Sequence, residues 1–290
     1  MATDSTTFWD KIQYCDPRIL YALFAVVLIV FEVSRPKLPV TVTKPVQMLY
    51  DVIERLPDDK IVLIDCDLAS GIRAECLGQY ESVVRHLFSR GIKFAVLNWT
   101  QNPEGQKFGV QVTQEIAEEM NKTYGEDYCV LQALTHSAGA TIQALAKDIP
   151  GMAKADVNKT PLQDVQMMKD VQDIHDVSLV FRVGYTWDYP PWIGFVQSAY
   201  GTPYASGCVG ISTSTAYPFL DSGQICGLLP GAAGAAAYEY LMVRDGIAKK
   251  KGMGTETVSV QSFATLYVAI AIILGNLAMV GAKLHAKKGT

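Results

Sequence analysis

The sequence is short of histidine, of paired cysteines and of positive charge, and each shortage removes a class of chemistry. Only four His occur in 290 residues, His86, His136, His175 and His285, so any nucleophile has few general bases to draw on. The six Cys, at positions 15, 66, 76, 129, 208 and 226, form no CxxC pair and no Cys/His cluster. That excludes a zinc site, and the residues read as buried thiols. Lys and Arg number 25 against 29 Asp and Glu, a net charge of −4, and no basic stripe alternates with aromatics as a nucleic-acid groove requires. Nucleic acid is therefore not an expected partner. No GxGxxG run follows a strand-like segment, which removes the dinucleotide loop, and no cofactor and no metal are expected. No internal repeat is visible.

What is present is long apolar sequence near both ends. Ile19 to Phe31 reads ILYALFAVVLIVF, and extended over 17–34 it approaches the roughly 17-residue minimum for crossing a hydrocarbon core. Pro17 suits a first helical turn and Pro36 a stop, while Arg18, Arg35 and Lys37 can snorkel to the interfaces. A signal peptide is disfavoured by Asp4 and Asp10 at the start and by FEVSRPK where a small-residue cleavage site would stand. The second run, FATLYVAIAIILGNLAMVG from Phe263 to Gly281, contains one strongly polar residue, Asn276, which in lipid seeks a partner on a neighbouring helix. The expected organisation is an N-terminal segment (1–16), a transmembrane helix (17–34), a globular domain (35–256), a second transmembrane helix (257–282) and a basic tail (283–290). Two spans put both termini on one side. The small Lys/Arg excess on the domain flanks, with five unpatterned Cys in the domain, points to a cytoplasmic domain.

Between the spans, short runs rich in Val, Ile and Leu alternate with segments of helical spacing. That pattern predicts an α/β fold, a doubly wound, Rossmann-like and mainly parallel sheet of about five strands flanked by the two membrane helices. The expected strands are 60–65, 92–98, 128–134, 177–183 and 208–213. Residues 74–90 place Leu77, Tyr80, Val83, Val84, Leu87 and Phe88 on one helical stripe, with Gly91 as its stop. Residues 110–121 are read as the next crossover helix. The polar stretch 148–176, carrying Pro150, Gly151 and Pro161, reads as an insertion or broken helix and as the interaction loop.

Three motifs fall at the expected strand ends, where such sheets bind ligands. LTHSAGA (134–140) places Ser137 between a strand and a helix with small residues two before and two after, as a hydrolase nucleophile requires. Its only later His in the domain, His175, precedes a strand and so belongs at the opposite sheet edge; a helix-capping Ser explains the same residues. IVLIDCDLASG resembles the opening of haloacid-dehalogenase-like phosphatases, in which Asp65 would be the nucleophile, Asp67 the general acid and Thr100 a phosphate ligand. The later acidic cluster that magnesium needs is missing, with only Asp188 beyond the fourth strand. Alternatively, the two Asp cap a helix or hold a turn. The run DSGQICGLLPGAAGAAAYEY (221–240) gives a helix almost free of side chains around Gly231, Gly234 and Ala235, which suits either tight packing inside the domain or a subunit interface. The neighbouring aromatics, Trp187 and Trp192 among them, suit an interface or the roof of a pocket.

KTYGEDYCVLQAL (122–134), GTPYASGCVGIST (201–213) and SGQICGLLPGAAGAAAYEYL (222–241) are similar to an uncharacterised group of bacterial membrane-anchored α/β proteins. The resemblance covers most of the domain, implies the fold and a bacterial source, and supplies no catalytic residue. The expectation is a two-pass protein of the bacterial inner membrane, a non-catalytic scaffolding subunit whose partners are the bilayer and itself or other membrane subunits. The alternatives are a Ser137 esterase-like or Asp65/Asp67 phosphatase-like hydrolase and, third, a ligand sensor with a pocket at Asp65, Asn98 and Ser137.

Overall fold

The computed structural model describes residues 8–34, 39–135, 138–184, 189–249 and 252–288. Two compact units divide the chain: one holds the residues up to 39 and from 256 onward, the other Val40–Thr255.

The first unit contains a short helix α1 (Phe8–Gln13), the apolar helix α2 (Pro17–Ser34) and most of a long terminal helix. Pro17–Ser34 and Met253–Leu284 are both long and apolar enough to cross a membrane, with mean hydropathy 1.9 and 2.2. They run antiparallel. The Phe31 ring stacks on Phe263 at 3.5 Å, the Tyr267 hydroxyl donates to the Leu20 carbonyl at 2.7 Å, and Trp9 covers Gly281. The terminal helix runs on to Lys288, into the basic tail expected at 283–290. Asn276 is exposed on it.

The second unit is a six-stranded parallel sheet in the order β3-β2-β1-β4-β5-β6. In chain order its elements are α3 (Lys44–Glu54), β1 (Ile61–Cys66), α4 (Arg73–Arg90), β2 (Phe94–Leu97), α5 (Pro103–Glu119), β3 (Tyr128–Val130), α6 (Ala138–Lys147) and α7 (Ile149–Ala153). There follow β4 (Val177–Gly184), α8 (Tyr189–Trp192), a π-turn (Ile193–Gln197), α9 (Ser198–Tyr200), β5 (Tyr204–Cys208), α10 (Thr213–Asp221), β6 (Leu228–Pro230), α11 (Gly231–Arg244) and the start of α12 (Met253–Lys288). Every residue of β1 and of β4 is buried, because helices cover both faces of these central strands. Side chains alternate along a strand. In β1, Val62, Ile64 and Cys66 join the core under α3, α4, α5 and α11, whereas Ile61 and Leu63 join the core under α6, α7, α8 and α10.

The doubly wound parallel sheet stands, with six strands instead of five. The stripe on α4 is buried as expected, and Gly91 ends that helix in the left-handed conformation at φ 70°. α5 begins seven residues before the expected position: Asn102 caps it by accepting from the Gly105 amide at 3.0 Å, and Pro103 occupies the first turn, as caps prescribe. The fifth strand lies at 204–208, not 208–213. Its small residues hid it, and Gly207 is needed because a Cβ there would overlap the Gln79 amide oxygen. β6 was concealed in the Gly/Ala run.

Residues 148–176, expected as an insertion or broken helix and as the interaction loop, form the short helix α7 and a series of single turns that cover core and sheet edge. Ile149, Leu162, Met168, Val171 and Ile174 are buried under the sheet. Val157 donates to Val130 and Gln132 to Ala155, each at 3.0 Å, so this segment pairs with the end of the edge strand β3 and shields it.

The small-residue face is likewise used inside the domain. Of the two readings left open, packing inside the domain is what the structure shows: Gly231 and Ala235 are buried against α4, and Gly234 against Leu229 and Pro230 of β6. The buried Glu239 carboxylate accepts from the Gly254 and Thr255 amides at 2.7 and 2.9 Å and from the Thr255 hydroxyl at 2.6 Å. These bonds satisfy orphan donors of the first turn of α12 and place an anion at its positive end.

Candidate functional site at the switch point of the sheet

In the order 3-2-1-4-5-6 the winding reverses between β1 and β4, and ligands of doubly wound sheets sit outside the carboxyl ends at that reversal. Here the described side chains at that place bind one another. Asp65 is the penultimate residue of β1 and is paired in register with Arg182 of β4, which is paired with Ser206 of β5. Strand alternation aims this row at the face covered by α8. Both Asp65 and Arg182 have no exposed surface.

The Asp65 carboxylate is enclosed by donors. Trp99 Nε1 donates to Oδ1 at 2.8 Å and Trp192 Nε1 to Oδ2 at 2.9 Å, with Arg182 Nε 3.3 Å from Oδ2. Arg182 Nη2 donates to Asp67 Oδ2 at 2.7 Å. Asn102, the residue that caps α5, donates through Nδ2 to Asp67 Oδ1 at 2.7 Å and to the Leu68 carbonyl at 2.9 Å. One guanidinium thus joins two carboxylates, and two indoles and an amide occupy carboxylate oxygens that a substrate would use. Burial pushes the Asp65 carboxyl up to about 7, against the opposing pull of Arg182.

The nearby turn amides are also taken. Ser70 N, which opens the turn leading into α4, donates to Glu104 Oε2 at 2.6 Å. Gly210 N, which opens the turn before α10, donates to Glu75 Oε2 at 2.6 Å. Amides of this kind hold phosphate in nucleotide-binding relatives of the architecture; in this chain carboxylates hold them.

The structure separates the expected site residues. Asp65, offered as a nucleophile, is buried and accepts one indole bond on each oxygen; Asp67, partly exposed, is tied between Arg182 and Asn102. Ser137, Trp187 and Asp188 lie outside the described residues. His175 stands in the turn before β4, at the amino end of the sheet, with Tyr200 edge-on to its ring at 5.4 Å. It is not brought to the carboxyl end that follows β3, as the base of a Ser137 triad would have to be. His86 is buried on α4, on the opposite face of the sheet, with Nε2 2.7 Å from Glu54 and Nδ1 2.6 Å from the Tyr238 hydroxyl. Asn98 is fully buried against Gly109 of α5, away from Asp65, so these two do not line one pocket. Trp192 is an internal ligand of Asp65 and not an interface residue. Burial raises the Cys66, Cys76, Cys129 and Cys208 thiols, which keeps them protonated. Among the described residues no three His, Cys, Asp or Glu side chains gather as a metal site requires.

Sequence reasoning passed over Arg182, Trp99 and Asn102. Arg182 carried a readable signal. A charged residue within the all-buried strand VSLVFRVG obliges the fold to supply buried countercharge, and Asp65 and Asp67 were the acidic pair at a neighbouring strand end.

No protein-family model and no curated protein matches the chain.

The carboxyl of Asp65 gives a pH test. Its folded value lies above the usual carboxylate value of about 4, so the folded state holds the proton more tightly than the unfolded state. Its contribution is present below about pH 4 and is lost as pH rises to about 7. Asp65→Asn is expected to flatten the stability profile between pH 5 and 8 in denaturant titrations, by on the order of 2–4 kcal/mol across the full window. An unchanged profile would show that Arg182 keeps Asp65 ionised throughout.

Proposed function

We propose that the chain is a non-catalytic structural or scaffolding subunit of an oligomeric membrane complex. The observation that carries this reading is the mutual pairing of the charged groups described at the switch point. Asp65, Arg182 and Asp67 satisfy one another, and the turn amides at Ser70 and Gly210 are held by Glu104 and Glu75. An enzyme needs polar groups that wait for substrate; the two carboxylates, the guanidinium and the two turn amides described here are bound to each other or to neighbouring side chains. Two helices of membrane-spanning length fix such a subunit in a bilayer, and the exposed Asn276 on one of them suits a contact with a second copy or another membrane subunit. The domain is assigned to the cytoplasmic side. The free thiols of Cys66, Cys76, Cys129, Cys208 and Cys226 favour a reducing compartment. The placement in a bacterial inner membrane rests on the sequence resemblance alone.

The test is the native mass of the chain extracted gently from its own membrane, with co-purifying subunits identified. A discrete particle several times the 31.7 kDa chain is expected. A free monomer would overturn the scaffold and return attention to the Ser137 loop.

A further inference from the structure

Beyond the ion cluster, the row Asp65–Arg182–Ser206 continues into a second group of polar atoms under α8. Tyr204 opens β5, and Ser206 and Cys208 follow at the alternate positions, so all three project from the same face. Tyr189 descends from α8, its ring edge-on to Tyr204 at 6.4 Å, and the indole of Trp192 lies nearly parallel to the Tyr204 ring. All five residues are buried, Tyr189 being 1% exposed and the others not at all. Both phenol hydroxyls face Ser206, and Tyr189 also faces Cys208. Yet among the described residues neither phenol closes a hydrogen bond of good geometry. The Ser206 hydroxyl makes only a long contact of 3.5 Å to the Gly207 carbonyl.

Two buried phenol hydroxyls without a well-formed bond, beside a serine hydroxyl with one long contact, cost the fold stability. Native interiors avoid that cost by binding water, and a buried water needs two to four polar partners. We infer that Tyr189, Tyr204 and Ser206 form an internal binding site for one or two water molecules, which bridge β5 to α8 at the switch point of the sheet. The ligand is neutral. The Arg182 charge is already matched by Asp65 and Asp67, so an anion would add unbalanced negative charge to a buried site. A bridging molecule that both donates and accepts serves hydroxyl groups, which do the same. Its structural effect is to hold α8 down, and α8 carries the Trp192 indole that Asp65 accepts from.

The full chain in detergent supplies the test. In a high-resolution crystal structure of the wild type, solvent density within hydrogen-bonding distance of at least two of the three hydroxyls is expected; hydroxyls bonded directly to each other, with no density between them, would overturn the site. Tyr189→Phe and Tyr204→Phe are each expected to lower the melting temperature by roughly 2–6 °C. The double variant should lose clearly less than the sum, because both side chains hold the same molecule. If either single variant melts at or above the wild type, the hydroxyls were unpartnered and the site is refuted. Additive losses, or coupling confined to a Tyr–Ser206 pair, would refute it too, in favour of direct contacts. Oxygen-17 relaxation dispersion of the wild type reads the same question without any variant: a long-lived internal water that disappears in Tyr204→Phe supports the site, and an unchanged water count sinks it.

Discussion

Arg182→Ala is expected to be among the most damaging single changes in the domain, with a loss of about 3–5 kcal/mol at pH 8. Among the described residues the substitution removes the one cation touching either carboxylate of the switch-point cluster, leaving Asp65 with its two indole donors. A buried ion pair adds little relative to apolar packing, but half of one is costly because the remaining charge stays desolvated. The loss should depend on pH in a defined direction. Burial already lifts the Asp65 carboxyl to about 7 with Arg182 in place, and without the guanidinium it rises further, so Asp65 escapes the penalty by taking a proton. Arg182→Ala should therefore be far less harmful at pH 5 than at pH 8. Asp65→Asn in the same chain should recover much of the loss at pH 8, since the amide carries no charge to compensate. Chemical denaturation of the single and double variants at the two pH values reads all of this. An equal loss at both pH values, or no recovery in the double variant, would mean that Arg182 acts through packing of its long side chain and not through charge.

The same cluster explains which parts of the fold were legible in the sequence. Strands β1 and β4 announced themselves because a central parallel strand buried on both faces must be apolar throughout, and α4 did so because its buried stripe has helical spacing and a left-handed Gly91 at its end. β5 and β6 did not. Tyr-Ala-Ser-Gly-Cys is a strand through its pairing with β4 and β6, with a glycine where a Cβ would meet Gln79 of α4, and Leu228–Pro230 is a strand of three residues paired with β5. Neither constraint is local, so neither leaves a periodic trace. The acidic pair Asp65 and Asp67 was visible, but its meaning was set by Arg182, which stands 115 residues beyond Asp67 in the chain. A carboxylate at a strand end reads as catalytic or as structural according to what lies opposite it. Register across the sheet decided the matter, and register is not written next to the residue.

The Gly/Ala run shows a similar ambiguity resolved by geometry, and Gly254→Val tests the resolution. A Cβ at Gly254 would stand 2.5 Å from the Ala235 Cβ and 2.8 Å from the Ala236 amide nitrogen, and one at Gly78 would stand 2.8 Å from the Gly254 nitrogen. Backbone, not a flexible side-chain tip, is the obstacle at both positions. A branched side chain would therefore force α4, α11 and the first turn of α12 apart, and that turn would lose the three hydrogen bonds held by Glu239. Overpacking alone costs about 1–3 kcal/mol, and the broken bonds to a charged acceptor add to it. Gly254→Val and Gly78→Val are each expected to lower the melting temperature of the domain by roughly 5 °C or more, or to prevent accumulation of folded protein. Gly275→Val is the control. It lies on the exposed part of α12 with open space where a Cβ would go, so it should leave the domain's melting temperature unchanged, and any effect it has should fall on the native mass. Opposite results, with Gly254→Val breaking the assembly while the domain melts as before, would hand the small-residue face back to subunit contacts.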